Sequence, residues 1–129
     1  MTGQYERLLD VSGDIAKFVG DETRKLALQI DSRVVLETPV DTGSARGNWL
    51  ASEFIPNNSV LDIIDNASAA AMQAIDQGAV VINGASPYTM LYIQNNLPYI
   101  QRLNEGWSEQ APSGYIDKII TEEVSRGGN

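Results

Sequence analysis

The run from Gln4 to Glu37 constrains the fold most. Leu8, Ile15, Phe18, Val19, Leu26, Ile30 and Val34 recur mostly three, four or seven residues apart with acids and bases between them, the spacing of an amphipathic helix. Gly20-Asp21 is its weak point, since one glycine costs about 1 kcal/mol against alanine inside a helix. A single long helix is expected, and Thr38-Pro39 must end it. Proline pushes the residue before it out of the α region and has no N–H to continue the ladder.

Beyond this stop the signals are shorter. Asn48 to Ile55 is rich in strand formers and is closed by "PNNS", so it is read as a strand. A loop containing "LDIID" leads to the alanine-rich "ASAAAMQAIDQG", a short helix with Gly78 as its stop. "AVVI" is expected to be a buried strand, turned at Asn83-Gly84 and paired antiparallel with "TMLYIQ" across "NGASPY". "NNLPYIQRLNEG" predicts a brief helix capped by Asn95 or Asn96, with Pro98 in its first turn and Gly106 as terminator. From "APSG" through Ile116, Ile119, Ile120 and Val124 runs a last helix, with Pro112 near its start and Gly127-Gly128 after its end. The predicted order is α, β, α, β, β, α, α, a single α+β domain over residues 1–129 without internal repeats.

Composition removes most enzyme chemistry. There are no cysteines and no histidines, which excludes disulfides, the usual zinc sites and Ser-His or Cys-His nucleophile pairs; no cofactor is expected. The net charge of −8 opposes specific DNA readout. Between Arg46 and Arg102 there is no Lys or Arg, while Glu53, Asp62, Asp65 and Asp76 fall in that interval. Such acids are usually a solvated face; alternatively Asp62, Asp65 and Asp76 line a surface that DNA slides past without sticking. The tyrosines of "SPYTMLYIQNNLPY" lack accompanying cations, which favours strand and core over base stacking. No stretch approaches the roughly 20 apolar residues of a membrane span, and no export signal is visible, so no membrane partner is expected.

One catalytic candidate remains. Asp41-Thr42-Gly43 is the tripeptide that carries the catalytic aspartate of dimeric aspartic proteases, where two such carboxyls share a proton. In those enzymes the tripeptide follows an apolar strand; here it follows a charged amphipathic helix ending in "LETPV". Arg46, if it reaches Asp41, would hold that carboxylate ionised, the wrong state for a shared proton. A structural corner accounts for more of the stretch. Asp41 can accept backbone N–H bonds as an Asx-turn or N-cap and Thr42 can do so more weakly; Gly43 offers a positive φ if the turn needs one. Arg46 can bond the carboxylate or the last carbonyls of the long helix, and Trp49 anchors the new strand.

Two segments in order carry a further signal. "TPVDTGSARGNW", followed about fifty residues later by "YIQNNLPYIQRLNEGWSEQAPSGYI", resembles the tail-completion or neck proteins of long-tailed double-stranded-DNA bacteriophages. These have a long N-terminal helix, a TPVDTG-x-x-R-x-x-W corner, an N-x-x-PY segment, then E-x-G-x-S-x-Q-A-P and a closing helix. The match runs from about Leu26 to Val124; Ser44 departs from it, where many relatives have arginine, while Arg46, Asn48 and Trp49 agree. The resemblance implies a virion protein of the head–tail junction, not an enzyme. It would form a homo-oligomeric ring, commonly sixfold, between the connector or head-closure proteins and the tail-tube proteins, with DNA passing through the lumen unbound. A tail terminator or minor tail protein is the alternative within the same biology. The implied motif and interface positions are Pro39, Asp41, Thr42, Gly43, Arg46, Asn48 and Trp49 in the first segment. In the second they are Asn96, Pro98, Tyr99, Glu105, Gly106, Trp107, Ser108, Gln110, Ala111 and Pro112.

Overall fold

The computed structural model describes residues 2–39, 43–63, 66–106 and 111–127, the stretch 2–11 as helical backbone. The protein is an α+β fold, as its sequence pattern predicts. Helix α1 (Thr2–Glu37) is followed by a short α2 (Gly43–Gly47) and strand β1 (Trp49–Glu53). Then come α3 (Ala67–Asn83), β2 (Leu91–Asn95), α4 (Ile100–Asn104) and α5 (Tyr115–Gly127).

Helix α1 passes through Gly20 unbroken. The Arg24 guanidinium lies over Gly20, donates to Ala85 O at 2.8 Å and pairs with Asp21 at 2.8 Å, so one side chain covers the weak point and ties it to the loop after α3. At about 1.5 Å per residue α1 is roughly 54 Å long. It ends where Thr38-Pro39 requires. Helix α2 was not foreseen; the corner contains a full helical turn before the strand begins.

The largest correction concerns "AVVI", which is the last turn of α3 and not a strand. Gly78 does not stop the helix. Asn66 caps the start, accepting from Ala69 N at 2.9 Å, and Gly84 caps the end. The buried residues of α3 are Ala70, Ala71, Ala74, Gly78 and Ile82, a small-residue stripe that lets it lie close against α1. A Cβ at Gly78 would overlap the Asp31 carboxylate of α1. Close packing of this kind outweighs the strand preference of two adjacent valines.

With "AVVI" helical, β2 finds a different partner. It pairs antiparallel with β1, Trp49 opposite Asn95 and Glu53 opposite Leu91, in a two-stranded sheet. The observed order is therefore α, α, β, α, β, α, α. Strand β1 is shorter than the predicted span because Phe54, at φ 71, bends the chain away after its N–H makes the last bond to Met90 O. Its outer edge is closed by a side chain: Gln77 of α3 donates to Ala51 O at 2.9 Å and accepts from Ala51 N at 3.0 Å, imitating a neighbouring strand. Gln77→Met keeps the volume and loses both bonds, so it should lower the urea-unfolding free energy by about 1–3 kcal/mol at two bonds of roughly 0.5–1.5 each. An unchanged value would mean that water replaces the amide at no cost.

Helix α4 forms as expected, but without the expected caps. Tyr99 occupies the cap position with no side-chain bond, and Asn95 and Asn96 are engaged elsewhere. Gly106 does end the segment, at φ +92. Helix α5 packs along α1 and includes Gly127 as its last residue, one position later than predicted. The main core joins Val34 and Val35 of α1, Trp49, Ala71 and Ala74 of α3, Ala111, and Tyr115 and Ile119 of α5.

Candidate functional site

The two motif segments meet at the C-terminal end of α1. Its centre is the buried hydroxyl of Thr38, which donates to Val34 O one turn back. With its only proton committed, that oxygen has two lone pairs left. Trp49 Nε1 donates to one at 2.8 Å, and the Tyr115 hydroxyl lies 3.2 Å from the same oxygen, its proton available for the other. One threonine thus joins the end of α1, the start of β1 and the start of α5. Burial pushes the Tyr115 phenol above its ordinary pKa.

Arg46 completes the end of α1 from outside. Its Nε donates to Thr38 O at 2.8 Å and its Nη2 to Leu36 O at 2.8 Å. No basic residue lies in the last turn of α1 itself. Arg46 supplies both the missing donors and a cation at the negative end of the helix dipole. Of the two partners the sequence offered for Arg46, the carbonyls are seen; Asp41 and Thr42 lie outside the described residues.

Asn48 is fully buried and works in both directions. Its amide nitrogen donates to Ser44 O at 2.8 Å and Leu61 O at 3.0 Å, while its oxygen accepts from Leu61 N at 2.6 Å. It fastens the extended segment before α3 to the corner, a task aspartate could not perform because it has no donor. Asn95 donates to Ala45 O at 2.8 Å, tying β2 to α2, and Asn96 donates to Asn57 O and Ser59 O at 2.8 and 2.9 Å.

In the second segment, Gly106 holds a positive φ where a Cβ would press on Ser113 at 3.1 Å, and Gly114 has φ +75. Asn104 binds the first turn of α5, accepting from Ile116 N at 2.9 Å and donating to Asp117 at 3.2 Å. These bonds bring the chain back so that Ala111, Pro112 and Tyr115 face Thr38, Pro39 and Arg46 across a hollow of about 180 Å³. Pro39, Arg46, Ala111 and Pro112 are therefore brought together; Gly43 is buried in α2 behind them.

Other expected positions lie apart from this hollow. Asn96 serves the 57–59 segment, Pro98 and Tyr99 are exposed beside it, and Glu105 is exposed, accepting from Gln101 at 3.3 Å. Trp107, Ser108 and Gln110 lie outside the described residues, as does Asp65. Asp62 and Asp76 are both exposed and make no ion pair with any described residue.

Sequence reasoning passed over Thr38 as more than a helix stop, and over Tyr115, although Tyr115 stands inside the second motif segment. It also passed over Asp31. That carboxyl is 2 % exposed, its Oδ1 has no hydrogen-bond partner among the described residues, and burial raises its pKa to about 7. Nothing in an alternating helix pattern distinguishes it from a solvated acid. Among the described residues no group of three or more Asp or Glu is arranged to hold a metal ion. The polar atoms around the hollow are instead committed to backbone and to one another, an arrangement suited to holding a fixed shape. No family model, curated protein or solved structure matches the chain.

Proposed function

We propose that the chain is a structural subunit of the head–tail junction of a long-tailed bacteriophage, of the tail-completion or neck type, and that it catalyses no reaction. The observation that carries this reading is the meeting of the two motif segments around Thr38, where Trp49, Arg46 and Tyr115 are held by hydrogen bonds that serve geometry. A ring subunit needs such rigidity, because a heterologous interface closes only at one angle between neighbours. The subunit would form a sixfold ring between connector and tail-tube proteins. The cation-free interval between Arg46 and Arg102, with Asp62 and Asp76 exposed, would let DNA pass without the phosphate contacts that cause retention.

Antibody labelling of virions encoded by the same genome, viewed by electron microscopy, tests the reading. The label should fall at the junction of head and tail, and the purified junction should contain the chain as a closed ring. Label on the capsid shell, or absence from the virion, would overturn it. A ring capping the tube without touching the connector would make the chain a tail terminator. Cleavage of peptides at mildly acidic pH that is lost in Asp41→Asn would restore the protease reading.

A further inference from the structure

The sheet has two outer edges, and the fold treats them differently. Phe54 N donates to Met90 O at 2.9 Å, and Phe54 lies opposite Met90 in the register that sets Glu53 against Leu91. In an antiparallel ladder, bonded and non-bonded pairs alternate. Ser52–Tyr92 and Leu50–Gln94 are then the bonded pairs, and the N–H and C=O groups of Ala51, Leu91 and Ile93 point away from the ladder. Ala51 is covered by Gln77, which confirms this parity. The outward groups of Leu91 and Ile93 meet no hydrogen-bond partner among the described residues.

That open edge borders an apolar groove of about 360 Å³. Leu91 and Ile93 of β2, Leu26 and Ile30 of α1, and Ile116 and Ile120 of α5 all line it. The space beside β2 thus offers backbone donors and acceptors that have no partner among the described residues, next to apolar contacts. An exposed edge of this kind is a template for strand pairing unless something blocks it.

We propose that the open edge of β2 and the adjoining groove receive an extended segment of a different polypeptide as a third strand, its alternate side chains apolar and filling the groove. Backbone bonds to Leu91 and Ile93 would give affinity, and the groove would select the side chains. This chain is a poor donor of that strand. Its exposed extended run between β1 and α3 is already held by Gln94, Asn96 and Asn48, and copies cannot add β2 to β1 in series because Gln77 occupies the β1 edge. The net charge of −8 on each copy opposes antiparallel pairing of two β2 edges and favours an incoming segment with basic flanks. The inference goes beyond the head–tail reading and stands without it.

The probe is a set of octapeptides in which Val or Ile alternates with Thr between terminal lysines, added to the ¹⁵N-labelled full chain. Saturation should slow amide exchange at Leu91 and Ile93 at least tenfold and leave Tyr92 and Gln94, already bonded to β1, unchanged. N-methylation of the peptide nitrogens that face β2 should weaken binding at least tenfold, and methylation of the alternate nitrogens should not. Ile93→Pro removes one outward donor without touching the β1 ladder and should also weaken binding at least tenfold; the methylated peptides make the same test on the unaltered protein. Absence of protection with every peptide would overturn the proposal, as would binding indifferent to methylation. So would slowed exchange in the groove-lining helices with Leu91 and Ile93 unaffected, the pattern of a helix docking there, such as the exposed Ile15–Phe18 face of a second copy.

Discussion

Trp49→Ala will lower the unfolding free energy by about 3–5 kcal/mol, the range for deleting a large buried aromatic. Trp49 is 5 % exposed within the main core and is bonded through Nε1 to Thr38, so the substitution removes both packing and a buried donor. Trp49→Phe keeps one aromatic ring but loses the N–H and part of the indole volume, for a cost between that of the bond alone, about 0.5–1.5 kcal/mol, and that of Trp49→Ala. Urea titration at neutral pH reads both values. A loss for Trp49→Ala no larger than that for Trp49→Phe would mean that the ring contributes little and that the corner is not anchored in the core as described.

Asp31 predicts an unusual dependence of stability on pH. Its carboxyl titrates at about 7 in the folded protein because burial disfavours the charge, against an ordinary value of 3.8. Between these values the native state holds a proton that the unfolded state has lost, so stability falls as pH rises through that window. At 1.36 kcal/mol per unit of full slope, the fall amounts to about 3 kcal/mol between pH 4 and pH 7. Asp31→Asn is isosteric and cannot ionise. The difference in unfolding free energy between parent and variant should therefore grow in the variant's favour from pH 4 to pH 7 and level off above. Asp21 works in the opposite direction: hydrogen bonds from Lys17 and Arg24 hold its carboxyl below the ordinary value, so its contribution disappears in acid. Because Asp21 is present in both proteins, it cancels from the comparison. A difference that is flat with pH would show that Asp31 ionises at its ordinary value, with water reaching its Oδ1.

The neighbouring Gly78 links this acid to the course of the fold. A methyl group there would displace the Asp31 carboxylate, so α1 and α3 meet at this point through a glycine against a buried acid. In the sequence alone Gly78 has the form of a helix terminator, since glycine ends helices far more often than it marks a helix contact. The choice depends on a residue 47 positions earlier, between Asp31 and Gly78, and no local pattern carries that information.

The candidate site was legible in the same uneven way. Arg46 was expected at either a carboxylate or the terminal carbonyls of α1; it bonds the carbonyls, while Asp41 lies outside the described residues. Trp49 was expected to anchor the strand, and it does. Both follow from short-range reasoning, since a helix end needs donors within reach and a large aromatic beside a turn needs a core. Thr38 and Tyr115 are 77 positions apart, and their shared hydrogen bond depends on α5 returning to the end of α1.

From sequence alone follow the elements whose signals repeat within one or two turns: α1 with its stop at Thr38-Pro39, the body of α5, the presence of strands near 49–53 and 91–95, and hence the α+β class. Tertiary structure decided which strand β2 pairs with, that "AVVI" is helical, that one sheet edge is closed by Gln77, and that Asp31 is buried. The division has a physical cause. Helix periodicity and proline sterics act between residues a few positions apart, whereas strand partnership, close helix contact and desolvation are set by which distant surfaces are packed together.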